Sequence, residues 1–268
     1  MDIGGFEGNA QTLRILTSVE KKRPDFRGLN LTYRGLFSVV KYFNKFDKDA
    51  YDAGDKNQKF IYDDDYDILK KAVDDNEIVL RTLDVQIVDL ADEIAYAAHD
   101  LEDGLRIKAF TCDEILHDFK AEYGDGDSFH TLVELVEKAK QKAGFGHDKI
   151  DSSQYSKLFR QELVSSLINL FLRDIGLVPI DAERARRIGS AQKEELNFIS
   201  YGDLVSGLKK IVFRCINHND EVYRYEQQGN EVLTFLKDLY LNDNMYLPPE
   251  YRAKELMRQY SDLADKDE

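Results

Sequence analysis

Asp92, Tyr96 and Asp100 recur every four residues in the stretch VQIVDLADEIAYAAHDLEDGL, from Val85 to Leu105. In a helix each residue advances about 100°, so the three side chains fall within about 80° of one another and can act together. A carboxylate on such a face is one ligand for a divalent ion, which needs several nitrogen and oxygen donors. The same pattern also describes the wet side of an amphipathic helix. Ile87, Ala91, Ile94, Ala98, Leu101 and Leu105 form an apolar stripe predicted to pack into a core on the far side. Spacing alone leaves both readings open.

The elements that must position this face are helical. The chain of 268 residues has only 4 prolines, and its apolar residues recur mostly at three- and four-residue spacing. Helices are predicted over about 6–22, 32–46, 64–74, 78–104, 112–123, 129–143, 151–175, 202–217, 220–242 and 249–263, so the expected fold is all-α. Any short strands belong to the connector GLVPIDAERARRIGSAQKEELNFISY (Gly176 to Tyr201). The polar segment from Asn44 to Asp65 crowds Asp47, Asp49, Asp52 and Asp55 together. An EF-hand loop starting at Asp47 would need Gly and Glu where Asp52 and Gln58 stand, so a solvated loop is expected.

With 43% apolar residues the chain can bury a proper core, and its formal charge of −14 disfavours general coating of nucleic acid or anionic membranes. An anionic ligand therefore needs a locally basic pocket or a metal. The basic cluster ERARR (Glu183 to Arg187) stands out against this background, with a solvated cluster as the expectation and phosphate binding as the alternative. Cys112 and Cys215 are too few for a disulfide framework and are expected to be plain buried thiols in a reducing cytoplasm. No run approaches the length of a membrane span, and the start lacks signal-peptide order.

The stretch DLADEIAYAAHDLED resembles the last metal-site helix of the deoxyguanosinetriphosphate triphosphohydrolase (dGTPase-like) branch of the HD-domain phosphohydrolases. GGFEGNAQTLRILT (Gly4 to Thr17), GLNLTYRGLFSVVKY (Gly28 to Tyr42), KNQKFIY (Lys56 to Tyr62) and YLPPEYR (Tyr246 to Arg252) are similar to segments of the same family in the same order. The resemblance implies an HD-domain-like helical bundle, incomplete at its N-terminal side, followed by a family-associated helical region. The implied division is 1–110 for the C-terminal part of the HD-type domain, 111–150 for a helical connector and 151–268 for the associated region. It also implies a reaction. Water activated at a divalent metal, Mg2+ or Mn2+, attacks the alpha-phosphorus of a deoxynucleoside triphosphate and releases deoxynucleoside and intact triphosphate. By position, Asp92 resembles the final metal-ligand aspartate. Tyr96 and Asp100 match residues that line the nucleotide pocket near the sugar, and Lys59 and Tyr62 fall in a stretch that approaches the phosphates and sugar.

The family's block HDxGHxPFGHxGE does not occur in this sequence. His99-Asp100, His117-Asp118 and His147-Asp148 lack its surroundings and are not expected to be metal pairs. The helix FRCINHNDEVYRYE (Phe213 to Glu226) also departs from the Tyr-Arg-His run of relatives. The expectation is thus a central and C-terminal portion of a triphosphohydrolase that is inactive alone. The alternative is a non-catalytic helical regulator or oligomerisation partner. Its expected partners are a deoxynucleoside triphosphate and either further copies of itself, as a homo-oligomer, or an N-terminal half, with no membrane.

Overall fold

A computed structural model of the protein describes residues 6–20, 22–242 and 246–247. The chain begins with α1 (Gly8–Arg14) and a π-helical turn (Ile15–Val19). It continues through three further helices, α2 (Tyr33–Phe37), α3 (Lys48–Asp52) and α4 (Asp63–Asp75). The apolar pattern over 32–46 gives a helix only as far as Phe37, and the rest of that segment runs without regular structure. Val40 and Phe43 are nevertheless buried, packed with Leu13, Phe37, Ile61 and Leu69. The β-branched pair Val39-Val40 favours an extended path, and Phe43 and Ile61 are tied into loop contacts by Phe43 N–H to Ile188 O and Ile61 N–H to Asn44 O. Within the acidic loop, Asp47 caps α3 by accepting from the Ala50 N–H, and Gln58 bonds the Asp47 backbone on both sides. The segment predicted as helix 249–263 lies outside the described residues.

The longest helix, α5 (Leu83–Ile107), buries Gln86, Leu90, Ile94, Ala97, Ala98, Leu101 and Gly104. Ile87 is 51% exposed and Ala91 is exposed too, so the buried face is rotated from the predicted stripe. Polar Gln86 takes the buried position because its Oε1 accepts from the Leu196 N–H at 2.8 Å and its Nε2 donates to the Arg81 carbonyl at 3.0 Å. A satisfied buried amide is tolerated where an unsatisfied one is not, and apolarity alone cannot reveal that.

Three more helices complete the bundle. In α6 (Cys112–Tyr123), Thr111 and Glu114 form a reciprocal capping box. The next helix, α7 (Asp127–Lys142), packs on both α6 and α8 (Ser152–Arg173), and α8 also packs along α5. Phe159, Leu163, Leu167 and Phe171 line the buried side of α8. Burial pushes the Cys112 thiol up to about 11, so it is a poor nucleophile.

The connector carries the strands it was expected to hold. β1 (Ile175–Pro179) pairs antiparallel with β2 (Glu194–Phe198), Leu177 opposite Leu196, and the short helix α9 (Ala182–Ile188) bridges them. At the end of α8 the Asp174 carboxylate accepts from the Ser200 and Tyr201 N–H groups just before α10 (Gly202–Asn217). Residues up to Phe213 form one compact unit and those from Arg214 a second, to which α11 (Asp220–Asn242) belongs. The all-α class holds, and among the described residues the two-stranded ribbon is the one sheet. No helix of the described residues is long and apolar enough to cross a membrane.

Gly104 lets the Phe110 ring lie directly on α5, since a Cβ there would sit 2.2 Å from Phe110 Cζ. Gly104→Ala is expected to cost about 1–3 kcal/mol in urea denaturation. Gly229→Ala on α11, where a Cβ meets nothing within 4 Å, should be neutral or stabilising by up to about 1 kcal/mol. Equal midpoints for Gly104→Ala and the parent would rule out this packing.

Candidate functional site

Extending the helical spacing in both directions shows what α5 carries on its polar side. Asp89, Glu93, Tyr96 and Asp100 lie within about 60° of one another, and Asp92 lies about 40° outside that arc, next to Tyr96. Asp89 and Glu93 form part of the wall of a cavity of about 650 Å³, which also includes Tyr42, Lys59, Arg81, Arg184 and Arg187. That volume suits a small-molecule ligand.

The carboxylates of this face are neutralised by cations from elsewhere in the chain. Lys41, in the irregular segment after α2, reaches Asp92 at 2.6 Å and Asp89 at 3.2 Å. Burial works against the Lys41 ammonium, but the bonds and charges of Asp92 and Asp89 outweigh it and raise its pKa. Arg81 is 3% exposed and donates to Asp89 at 2.7 Å, with Glu195 at 3.8 Å on its other side. Burial alone would push the Asp89 carboxyl up, yet the Arg81 bond and charge, and then Lys41, hold it below the usual carboxylate value. Glu195, also 3% exposed, accepts from the Ser190 hydroxyl at 2.6 Å. Gln192 donates to the Arg81 carbonyl at 3.0 Å. A network joining the residues before α5 to the connector thus closes around one buried guanidinium.

Further along α5, Lys209 of α10 pairs with Glu93 at 2.8 Å and stands 5.1 Å from the centre of the Tyr96 ring. Tyr96 is 45% exposed. Asp100 is pushed up from the ordinary carboxylate value, first by burial and then by the Asp103 charge, with His99 and Lys209 opposing. Both side chains keep open faces and polar atoms for a ligand.

Lys59 lines the cavity, with its ammonium 3.1 Å from Glu7. Tyr62 does not line it. That ring is 4% exposed, packed with Ala10 and Phe60 under the Arg14 guanidinium, which lies 3.9 Å from the ring centre. Of the sequence candidates, Lys59 lines the cavity, Asp92, Tyr96 and Asp100 share the polar side of α5 but are not among the lining residues, and Tyr62 packs in the small aromatic cluster beside α1. Lys41, Arg81, Asp89, Glu93 and Glu195 were not singled out from the sequence. Lys41, Asp89, Glu93 and Glu195 lie within stretches quoted above, whereas Arg81 lies in none of them.

The fit of a divalent ion can be judged from these contacts. Asp92 is engaged by an ammonium, Asp89 by an ammonium and a guanidinium, and among the described residues no three His, Cys, Asp or Glu side chains come together so as to hold a metal. The described residues do not form a divalent-ion site by themselves.

Against known proteins, a deoxyguanosinetriphosphate triphosphohydrolase-like protein 2 of Vibrio cholerae is 36% identical over 256 residues, covering 93% of this chain. The chain belongs to the dGTPase-like family. Similarly named proteins of Wolinella succinogenes and Bradyrhizobium diazoefficiens are each 26% identical over 93% of it. The matched part is 58%, 61% and 59% of those three relatives, so the dGTPase-like chain spans less than two thirds of their length. No family model matches it.

Arg81→Met leaves Asp89 and Glu195 without their guanidinium and is expected to cost about 3–5 kcal/mol at pH 7. The folded pKa of Asp89 is depressed, so its contribution is present above the unfolded value of about 3.9 and is lost as pH falls through the folded value. The gap between Arg81→Met and the parent should therefore narrow below about pH 4 in urea titrations. A gap that is constant from pH 7 to pH 3 would show that the ion pair does not act this way.

Proposed function

We propose that this chain carries the nucleotide-facing part of a deoxynucleoside triphosphate triphosphohydrolase, and that it does not turn over nucleotide alone. The observation that supports it most is the placement of Tyr96 and Asp100 on the side of α5 whose Asp89 and Glu93, about two turns and one turn before Tyr96, line a cavity together with Lys59, Arg81, Arg184 and Arg187, in a chain matching relatives of that name. On this reading Tyr96 and Asp100 hold the deoxyribose by ring contact and hydrogen bonding, and Lys59 faces the phosphates. Burial raises the Asp100 pKa, which strengthens it as a hydrogen-bonding partner for a sugar hydroxyl. Mg2+ or Mn2+ is the cofactor the family implies. Asp92 is the carboxylate that the resemblance gives to it, but the Lys41 contact occupies that oxygen, so the chain's own residues are assigned binding and no chemical step.

The same Lys41–Asp92 contact favours a second reading, a non-catalytic partner that keeps the family scaffold and assembles with copies of itself or with a catalytic chain. Nucleotide binding separates the two. Purified chain with dGTP and Mn2+ or Mg2+ is expected to release no triphosphate, while dGTP binds measurably in calorimetry. Asp100→Ala should weaken that binding by about tenfold, the loss of one charged hydrogen bond. Robust turnover abolished by Asp92→Ala would overturn the inactivity, and absence of dGTP binding would leave the partner reading.

A further inference from the structure

The cavity beside α5 has an imbalance of charge that the carboxylate face does not explain. Its acidic wall residues are already engaged: Asp89 by Lys41 and Arg81, Glu93 by Lys209, and Glu195 by the Ser190 hydroxyl with Arg81 behind it. Arg184 and Arg187 line the same cavity, and among the described residues neither guanidinium has an ion pair or a hydrogen bond. Arg187 is exposed and Arg184 half-exposed, so both guanidiniums are free to meet an anion entering the concavity they line.

The arginines also sit on a fixed support. Asp181 caps α9 by accepting from the Arg184 N–H at 2.7 Å. At the other end Ile188 is buried, its carbonyl accepts from the Phe43 N–H, and the Arg187 carbonyl accepts from Asn44 Nδ2 at 3.0 Å. Gly189, at φ +69°, makes that close approach, since a Cβ there would lie 2.8 Å from the Phe43 carbonyl oxygen. Residues 184 and 187 are one turn apart and present their side chains on neighbouring positions of this short, anchored helix.

We propose that Arg184 and Arg187 form a seat for the phosphate chain of a small polyphosphate, with Lys59, whose ammonium also pairs with Glu7, on the same cavity wall. Guanidinium forks match phosphate oxygens in pairs, and an ammonium adds a point charge on a flexible stem. The cavity volume fits a phosphate chain with a nucleoside attached, and the overall negative charge of the protein disfavours a nucleic-acid strand in its place. The identity of the attached nucleoside rests on the nucleotide reading of the α5 face; the phosphate seat does not.

The test is calorimetric titration of the full chain with inorganic tripolyphosphate and, separately, with dGTP, in EDTA at low salt. Tripolyphosphate should bind, and R184Q/R187Q should weaken it by about tenfold or more, as expected for loss of charged hydrogen bonds. R186Q, which removes an exposed arginine of the same helix that is not among the cavity-wall residues, should change it by less than about threefold. Thermal melts of R184Q/R187Q should match the parent, because its guanidiniums hold no partner in the fold. No tripolyphosphate binding by the parent, or equal binding by R184Q/R187Q, overturns the seat. If dGTP binding responds to Asp100→Ala but not to R184Q/R187Q, the seat falls and the nucleotide reading stands. If tripolyphosphate binding needs the arginines while dGTP binds no more tightly and ignores Asp100→Ala, the seat stands and the nucleotide reading falls.

Discussion

The guanidinium of Arg81 is the interaction around which the connector, the start of α5 and the cavity are built. A buried cation is costly unless paired, and here Asp89 and Glu195 flank it while Gln86 and Gln192 take its backbone carbonyl. Those partners come from α5 and from the end of the connector, so satisfying one charge fixes the phase of the helix against β2. That phase decides which residues of α5 face inward. It explains why Gln86 is buried and Ile87 exposed.

Long amphipathic helices were legible because their information is local. α5, α6, α7, α8, α10 and α11 each repeat their apolar positions over several turns, and the capping residues Thr111 and Asp151 mark two of their starts. The segment after Phe37 was not legible as irregular. Its apolar spacing matches a helix, yet Val40 and Phe43 are buried without one, and the bonds of Phe43 N–H to the Ile188 carbonyl and of Ile61 N–H to the Asn44 carbonyl come only with the tertiary structure.

The site divides in the same way. Asp92, Tyr96 and Asp100 come from one helix and could be read by counting fours. Their counter-charges could not, because Lys41 is 51 residues from Asp92 and Lys209 is 116 residues from Glu93. Sequence spacing carries no signal for a pair separated by that much chain. The ERARR cluster shows the opposite difficulty, for its composition was visible but not the wall it faces. A charge run is usually solvated, and only the anchoring of α9 through residues 43 and 44 turns two of its arginines toward a cavity.

The short run from Lys41 to Asn44 belongs to two neighbourhoods at once. At one end it grips the carboxylates of α5, and three residues later it is bonded to the last turn of α9. It is therefore a common strut between the acidic helix and the arginine-bearing one. Its two attachments are only three residues apart, so where this run lies is set by both walls at once, and a substitution at either end withdraws a bond from one of them.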